Sequence, residues 1–259
     1  MLSKLVQLPL LKRLIPSISI RILSLVKKNR GFFKITNIKM YLDFLDPVDR
    51  EIILHQKFEY LEFNYLIKKI NIYKITKFYD IGANCGYYSI FVASKINNIK
   101  VISFEPNEEA YLKFSKTLKI NNDLAEKIDL KNFGLSNSAG KFKMQSKIKF
   151  GYAQTGGTSV IEDNFVDSNS ISLGNFKIGD EEIKSTNERI AMKIDVEGHE
   201  LKVLKGLKKT LIQNKCFVQI EIFEKNFIMV NSYLNSLGYK LVYKFKINSN
   251  FFYSNFVSE

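Results

Sequence analysis

The chain has 259 residues, of which 46% are hydrophobic and 25% charged. This balance is ordinary for a globular protein and excludes wholesale disorder, because enough apolar side chains are present to bury a sizeable core. Two cysteines far apart in sequence and only two histidines exclude a disulfide-rich scaffold and a site built on several histidine ligands. A reduced, cytoplasmic protein is the simplest interpretation.

The formal net charge of +13 is concentrated at the N-terminus. Of the 39 basic and 26 acidic side chains, eight basic and no acidic ones lie in residues 1–34, so the other 225 residues carry only +5. We interpret residues 1–57 as a basic N-terminal arm and lead-in. Its apolar stretches are broken by Pro9, Pro16 and basic residues, and none approaches the roughly 20 apolar residues that span a bilayer.

Within this arm, Ile18, Ile22, Leu25 and Val26 fall on one helical face beside basic residues. Two interpretations of that face stay open. It either packs on the protein core, or it lies on an anionic membrane surface and makes a peripheral membrane contact.

A repeating strand–helix pattern fills residues 58–259, which we predict to be the main domain. The predicted helices span 58–70, 87–95, 108–120, 199–213 and 226–237, and the predicted strands span 78–81, 101–104, 128–133, 191–196, 217–222, 240–246 and 251–256. Such alternation is typical of a parallel sheet covered by helices on both faces. The last two strands are separated by Asn248, Ser249 and Asn250, which favours an antiparallel hairpin.

The segment at about 141–190 breaks this rhythm. It combines alternating apolar stretches with loops rich in Gly, Ser and Asn. The pattern predicts an inserted β-hairpin region or lid.

A glycine-containing turn follows the first strand of the repeat. Asp80 ends that strand, and Gly82, Asn84 and Gly86 lie in the turn that opens the next helix. Glycines let a backbone approach a ligand closely, and amide groups at a helix N-terminus attract an anion. An acid at this position instead attracts a cationic group such as the ammonium of a methionine moiety. The turn by itself is also compatible with a purely structural role.

A second acid strengthens the prediction of a nucleoside site. Glu105 ends the next strand, 19 residues after Gly86, where a carboxylate can accept both ribose hydroxyls of a bound nucleoside. The alternative is that Glu105 caps the helix that follows.

A third group of polar residues follows the strand at 191–196. Asp195 and Glu197 are predicted to face the reacting group and its acceptor, since the carboxyl ends of strands line the ligand crevice in open α/β sheets. Glu200 fits the first turn of the next helix. His199 is either a general base or a residue that begins the helix. Two carboxylates are too few ligands to predict a metal ion.

Taken together, these strings resemble the FkbM-type methyltransferase family in order and spacing. They are FYDIGANCGYYS at 78–89, FEPN at 104–107, GLS at 134–136, GGTS at 156–159 and KIDVEG at 193–198. The resemblance covers roughly residues 60–225.

The resemblance implies a Rossmann-like class I methyltransferase fold with a mostly parallel seven-stranded sheet and a C-terminal antiparallel hairpin. It implies S-adenosylmethionine as the cofactor, bound by Asp80, Gly82, Asn84, Gly86, Glu105 and Asn107. It also implies O-methylation of a hydroxyl on a sugar, glycan or secondary metabolite, with Asp195, Glu197 and His199 as catalytic candidates. A small residue often stands at the position of His199 in the family, which argues against a shared catalytic histidine.

Three rival functions are considered. A nicotinamide-dependent oxidoreductase shares the turn and the ribose-binding acid, but not Asp80 before the glycines or the terminal hairpin. A nucleic-acid methyltransferase that acts on base amino groups is disfavoured, because such enzymes commonly carry an Asn/Asp-Pro-Pro-aromatic motif and the last proline here is Pro106. Methylation of RNA ribose stays open as an alternative. A non-catalytic nucleoside-binding relative is the third. The sequence predicts no oligomeric state.

Overall fold

The structure is a computed structural model that describes residues 29–146, 148–149, 152–161, 171–245 and 249–257. Its strands are β1 (Arg30–Ile35), β2 (Ile38–Asp43), β3 (Lys77–Ile81), β4 (Lys100–Phe104), β5 (Ile128–Lys131), β6 (Gly134–Ser136), β7 (Gly140–Gln145), β8 (Ile148–Lys149), β9 (Tyr152–Ala153), β10 (Ser159–Val160), β11 (Ile171–Ile178), β12 (Arg189–Ile194), β13 (Lys215–Glu221), β14 (Lys240–Lys244) and β15 (Asn250–Ser254).

Its helices are α1 (Pro47–His55), α2 (Tyr60–Ile72), α3 (Tyr87–Lys95), α4 (Glu108–Lys119), α5 (Asn122–Ala125), α6 (Gly179–Glu182), α7 (Glu200–Gly206), α8 (Lys208–Gln213) and α9 (Phe227–Ser236), with a 3₁₀ turn at Glu224–Asn226. None of the helices in these described ranges is long and apolar enough to cross a membrane. The apolar face that the sequence predicts at residues 18–26 lies outside the described residues.

A seven-stranded sheet forms the centre of the protein, in the order β14-β15-β13-β12-β3-β4-β5. The five strands from β13 to β5 run parallel, whereas β15 is antiparallel to both β13 and β14. This arrangement confirms the predicted α/β fold, including its mostly parallel sheet and its C-terminal hairpin. The chain moves outward from β3 to β4 on one side and returns to β12 on the other, so a topological switch point lies beside β3.

Helices cover both faces of this sheet and enclose two apolar clusters. One cluster packs α2 and α3 on the sheet through side chains such as Phe63, Leu66 and Phe91. The other packs α7, α8 and α9 on the opposite face through Val203, Leu211 and Val230. The central strands are buried on both faces, which explains why they read as continuous apolar runs rather than as alternating ones.

The helix predicted at 199–213 is divided in two at Leu207. A Cβ on the preceding Gly206 would lie 1.9 Å from the carbonyl oxygen of Ser136, so the backbone of β6 touches the helix there. This close approach depends on a glycine, and the chain turns directly after it.

Residues 30–55 pack directly on the central domain. Strands β1 and β2 form an antiparallel hairpin, and Ile35, Met40 and Leu42 of this hairpin belong to the same apolar cluster as Phe63. Ile52 of α1 joins them. The described part of the lead-in therefore shares the core of the main domain. The boundary at residue 57 stays a prediction.

The region around 141–190 builds a second, smaller sheet, in the order β10-β7-β11-β6. Strands β7 and β11 pair antiparallel, and β11 pairs parallel with β6. Met144 of β7 and Phe176 of β11 are buried and face the cavity described below. The small sheet therefore forms one wall of that cavity.

Candidate active site

A cavity of about 270 Å³ opens where β3, β4, β12 and β13 end. Eight of the nine residues predicted for the site line it: Asp80, Gly82, Asn84, Glu105, Asn107, Asp195, Glu197 and His199. The ninth, Gly86, is not among the lining residues. A Cβ on Gly86 would lie 2.4 Å from the ring of Phe114, so the structure gives this glycine a packing role against α4.

The turn after β3 has an unusual backbone. Gly82, Asn84 and Gly86 adopt left-handed conformations, with φ values of 87°, 49° and 83°. A Cβ on Gly82 would lie only 1.9 Å from the backbone carbonyl oxygen of Asp195. Only a glycine fits here, because the loop after β12 approaches the turn so closely. Sequence spacing alone does not reveal this contact between the ends of β3 and β12.

The amide groups of this turn are engaged within the protein. Gly82 and Ala83 donate to the carbonyl of Phe104 at 3.0 and 3.1 Å, and Gly86 donates to the carbonyl of Ala83 at 2.8 Å. The amide of Asn84 donates to Glu105. These four amides are therefore not available to a ligand, and they offer no cradle for a pyrophosphate.

Asp80 lies buried beneath the turn. Its Oδ2 accepts hydrogen bonds from the amide and the hydroxyl of Ser89, at 3.1 and 2.6 Å. Ser89 is in the first turn of α3, so a carboxylate already occupies the N-terminal end of that helix. Burial raises the pKa of Asp80, and Lys193 and Ser89 counteract part of that effect.

Glu105 connects the ends of β3 and β4. Its Oε2 accepts the amide of Asn84 at 2.7 Å, and its Oε1 accepts the amide of Asn107 at 2.8 Å. Burial raises its pKa to about 7, although both amide hydrogen bonds act in the opposite direction. Asn107, not Glu105, caps α4 through Ala110, which removes the capping alternative for Glu105.

Asp195 is held by an ion pair on the other side of the cavity. Lys193 is buried and its Nζ lies 2.6 Å from Asp195 Oδ2 and 4.6 Å from the ring centre of Tyr88. Burial alone would lower the pKa of Lys193, but the carboxylates of Asp195, Glu59 and Asp80 outweigh it and raise that pKa. The ion pair fixes the orientation of the Asp195 carboxylate.

Glu197, Gly198 and His199 form the loop between β12 and α7. Glu197 has a left-handed backbone, with φ of 51°. His199 is buried, its Nε2 lies 2.9 Å from the hydroxyl of Ser136, and its ring contacts Phe142 and Phe176 edgewise. Glu200 accepts the amide of Gly198 at 2.7 Å and lies in the first turn of α7, as expected.

The loop at 154–158 closes the cavity from the side of the small sheet. Thr155 donates from its amide to Asp46 Oδ2 at 2.8 Å, and its hydroxyl contacts the side chains of Asp46, Asn84 and Lys113 at 2.7 to 3.0 Å. Lys113 also lies 2.6 Å from Asp49 Oδ2. This buried network ties the loop to α1 and α4.

The model of the FkbM methyltransferase domain matches residues 80–241, which is more than half of the chain. The chain belongs to the FkbM methyltransferase family. Membership confirms the resemblance predicted from the sequence, and with it S-adenosylmethionine as the cofactor.

Two individual relatives of this chain are also methyltransferases by name. The hexuronic acid methyltransferase AglP of Haloferax volcanii is 31% identical over 145 residues, covering 56% of this chain and 54% of the relative. The methyltransferase sdnD of Sordaria araneosa is 25% identical over 192 residues, covering 62% of this chain and 73% of the relative. The match thus spans about half the length of the AglP protein.

A solved FkbM methyltransferase from Methylobacillus flagellatus superposes with a TM-score of 0.49 at 18% identity. The superposition covers 70% of this chain and 43% of that one.

Three charged residues that line the cavity were not predicted from the sequence: Glu59, Lys193 and Glu221. Lys193 stands in the KIDVEG string, but its burial beside Asp195 is a tertiary feature. Glu221 ends β13. Polar residues at the carboxyl ends of strands line the ligand crevice, and this rule, which predicted Asp195, would also have predicted Glu221. Glu59 precedes α2 and carries no sequence signal.

Proposed function

We propose that this protein transfers the methyl group of S-adenosylmethionine to a hydroxyl group of a sugar, a glycan or a secondary metabolite. The observation that carries the proposal is the division of one cavity between two sets of carboxylates. Asp80 and Glu105 lie on the side of β3 and β4, and Asp195, Glu197 and Glu221 lie on the side of β12 and β13. The first set suits the cofactor and the second suits the acceptor.

The residues on the first side fit the cofactor by their chemistry. Glu105 is aimed by two backbone amides, and each of its oxygens keeps a further lone pair for a ribose hydroxyl. Asp80 supplies negative charge next to a ligand whose sulfonium and ammonium groups are positive. Bound there, the cofactor supplies an electrophilic methyl group.

A dinucleotide fits this side less well. Its pyrophosphate would need amide donors at the turn, and those of Gly82, Ala83, Asn84 and Gly86 already donate within the protein. It would also meet the carboxylate of Asp80 at the start of α3. These contacts favour the methyltransferase over the nicotinamide-dependent oxidoreductase.

The residues on the second side hold and prepare the acceptor. Methyl transfer to a hydroxyl requires an acceptor oxygen aligned with the methyl group at close range and a group that takes the proton. Asp195 is held rigidly by Lys193, which suits it to position an acceptor hydroxyl as a hydrogen-bond acceptor. The named activity of AglP on hexuronic acid supports a sugar as the acceptor class.

Cytoplasmic location and a peripheral membrane contact of the arm are further parts of the proposal. The eight basic side chains of residues 1–34 would concentrate the enzyme on anionic lipid, close to lipid-linked acceptors. Deleting residues 1–28, which carry six of these eight side chains, and measuring binding to vesicles of phosphatidylcholine with phosphatidylserine tests this contact. Unchanged binding would contradict it.

The cofactor assignment is tested by isothermal titration with S-adenosylmethionine and, in parallel, with NAD. We expect saturable binding of S-adenosylmethionine and none of NAD. Binding of NAD alone would contradict the proposal. Binding of S-adenosylmethionine without any methyl transfer would favour the non-catalytic relative instead.

A further inference from the structure

Glu221 stands beside Asp195 at the edge of the central sheet. Strands β12 and β13 are parallel with Ile194 paired to Ile220, so Asp195 and Glu221 follow as neighbours on adjacent strand ends. Residues that pair across parallel strands point to the same face of the sheet. Both side chains line the cavity, and both are partly exposed to it.

The carboxylates around Glu221 already have hydrogen-bond partners. Asp195 Oδ2 accepts from Lys193 at 2.6 Å. Glu59 accepts from the hydroxyl of Tyr88 at 2.7 Å and from the side-chain amide of Asn250 at 3.1 Å. Gln219 donates to both Tyr88 and Asn250, at 2.8 and 2.9 Å, and so closes a ring of hydrogen bonds beneath the cavity.

Glu221 differs from these neighbours. Within the described ranges, no side chain donates a hydrogen bond to its carboxylate, although the group is largely buried. The charged groups that face it are Lys193 from β12, Asp195 and Glu197 from the loop after β12, and Glu59 from the segment before α2. Burial and the carboxylate of Asp195 raise the pKa of Glu221 to about 8, against the opposing effect of Lys193.

Resting on the methyl transfer proposed above, we propose that Glu221 is the general base that takes the proton from the acceptor hydroxyl, while the Lys193–Asp195 pair positions that hydroxyl. A base must have lone pairs facing the acceptor. Within the described ranges no side-chain donor occupies those of Glu221, whereas one oxygen of Asp195 and both oxygens of Glu59 already accept a hydrogen bond each. A base with a pKa near the working pH also transfers protons most effectively.

A Glu221 carboxylate oxygen accepts the hydroxyl proton as a lone pair of the acceptor oxygen forms a bond to the methyl carbon. The carbon–sulfur bond breaks and its electron pair stays on sulfur, which gives a neutral thioether and a methyl ether. Glu221 is left protonated and releases its proton to water at the cavity mouth.

The step predicts a pH profile. Glu221 must be deprotonated before each turnover, so the rate rises with pH through its raised pKa. A purely structural role of Glu221 would not produce this dependence. The Asp195→Asn variant retains Glu221, so its rate should still rise with pH. Its KM for the acceptor should increase, because the residue that positions the hydroxyl is changed.

The first measurement needs no acceptor. Carboxyl-labelled glutamate in the protein bound to S-adenosylhomocysteine is titrated by carbon-13 NMR, and Glu221→Gln assigns the signal. We expect a midpoint well above the ordinary range of a glutamate side chain. A midpoint in the ordinary range near 4.5 would overturn the assignment, whether or not the protein proves to be a methyltransferase.

The second measurement compares the rates at which Glu221→Gln and Glu224→Gln form S-adenosylhomocysteine, with a pool of methyl hexosides, N-acetylhexosaminides and hexuronides as the acceptors. Glu224 is exposed and three residues away, so the two substitutions are matched. We expect Glu221→Gln to bind S-adenosylmethionine normally and to lose about 100-fold or more in kcat, and Glu224→Gln to match the wild type. If Glu221→Gln keeps the kcat and the pH profile of the wild type, Glu221 is not the base. If the wild type does not bind S-adenosylmethionine, the proposed methyl transfer itself is wrong.

Discussion

Glu105 accepts the backbone amide of Asn84 at 2.7 Å, and this hydrogen bond ties the end of β4 to the left-handed turn after β3. The same carboxylate accepts the amide of Asn107 at the start of α4. One buried side chain therefore shapes both loops on the cofactor side of the cavity. Its orientation is fixed before any ligand binds, which lowers the entropy cost of binding.

Replacing Glu105 should weaken cofactor binding. Glu105→Ala removes the acceptor for the ribose hydroxyls and leaves two amides without their partner. Hydrogen bonds to charged groups contribute about 1.5–3 kcal/mol, so we expect roughly 100-fold weaker binding of S-adenosylmethionine by isothermal titration. The control is Glu126→Ala on the exposed end of α5, which should bind as the wild type does. Equal affinities of the two variants would contradict the role of Glu105.

The raised pKa of Glu105 should make stability depend on pH. Its pKa is about 7 in the folded protein and 4.5 as the unperturbed value, so the folded state binds more protons between these values. The contribution of Glu105 to the free energy of unfolding therefore falls as pH rises through this window, by up to about 3 kcal/mol. In urea unfolding of the ligand-free proteins, the free energy of unfolding of Glu105→Gln should increase relative to that of the wild type between about pH 4.5 and 8. A constant difference across that range would contradict the assignment.

Gly82 should not tolerate a side chain. A Cβ there would collide with the carbonyl of Asp195, and the left-handed backbone adds strain. We expect Gly82→Ala to lower the free energy of unfolding by about 2–4 kcal/mol in urea titrations. Gly31→Ala is the matched control, because nothing lies within 4 Å of its Cβ position. A Gly82→Ala protein as stable as Gly31→Ala would show that the two strand ends do not approach this closely.

Lys113 should be needed for the loop at 154–158. It is buried between Asp46 and Asp49, and removing it leaves two buried carboxylates without a counter-charge. We expect Lys113→Met to lower the free energy of unfolding by about 3–5 kcal/mol. Hydrogen exchange at Thr155 and Thr158 should also become faster. Lys119→Met, on the exposed side of the same helix, should change neither quantity.

Much of the central sheet could be predicted because β3, β4, β12 and β13 are short apolar runs, each followed by a helix with its own periodicity. The acids at strand ends, such as Asp80, Glu105 and Asp195, followed from the position of the ligand crevice in such sheets. The network of Asp46, Asp49 and Lys113 could not be predicted. Lys113 is 64 residues from Asp49 in the sequence, and the two side chains come together only when α1 packs on α4.

The function of the glycines was also beyond the sequence. Spacing indicated a tight turn, but the reasons differ at the two positions: Gly82 faces the backbone of Asp195, and Gly86 faces the ring of Phe114. Both contacts come from the packing of elements distant in the chain. The role of Lys193 also depends on packing, because its ammonium group is buried in the fold and forms an ion pair with Asp195.

The most direct test of the central claim follows the methyl group itself. Purified protein is incubated with S-adenosylmethionine carrying a deuterated methyl group and with the pooled methyl glycosides, and the products are analysed by mass spectrometry. We predict a deuterated methyl ether on at least one glycoside, formed in step with S-adenosylhomocysteine and greatly reduced in Glu105→Ala. A protein that binds S-adenosylmethionine but leaves every glycoside unlabelled would contradict sugar O-methylation, and one that does not bind it at all would contradict the whole account.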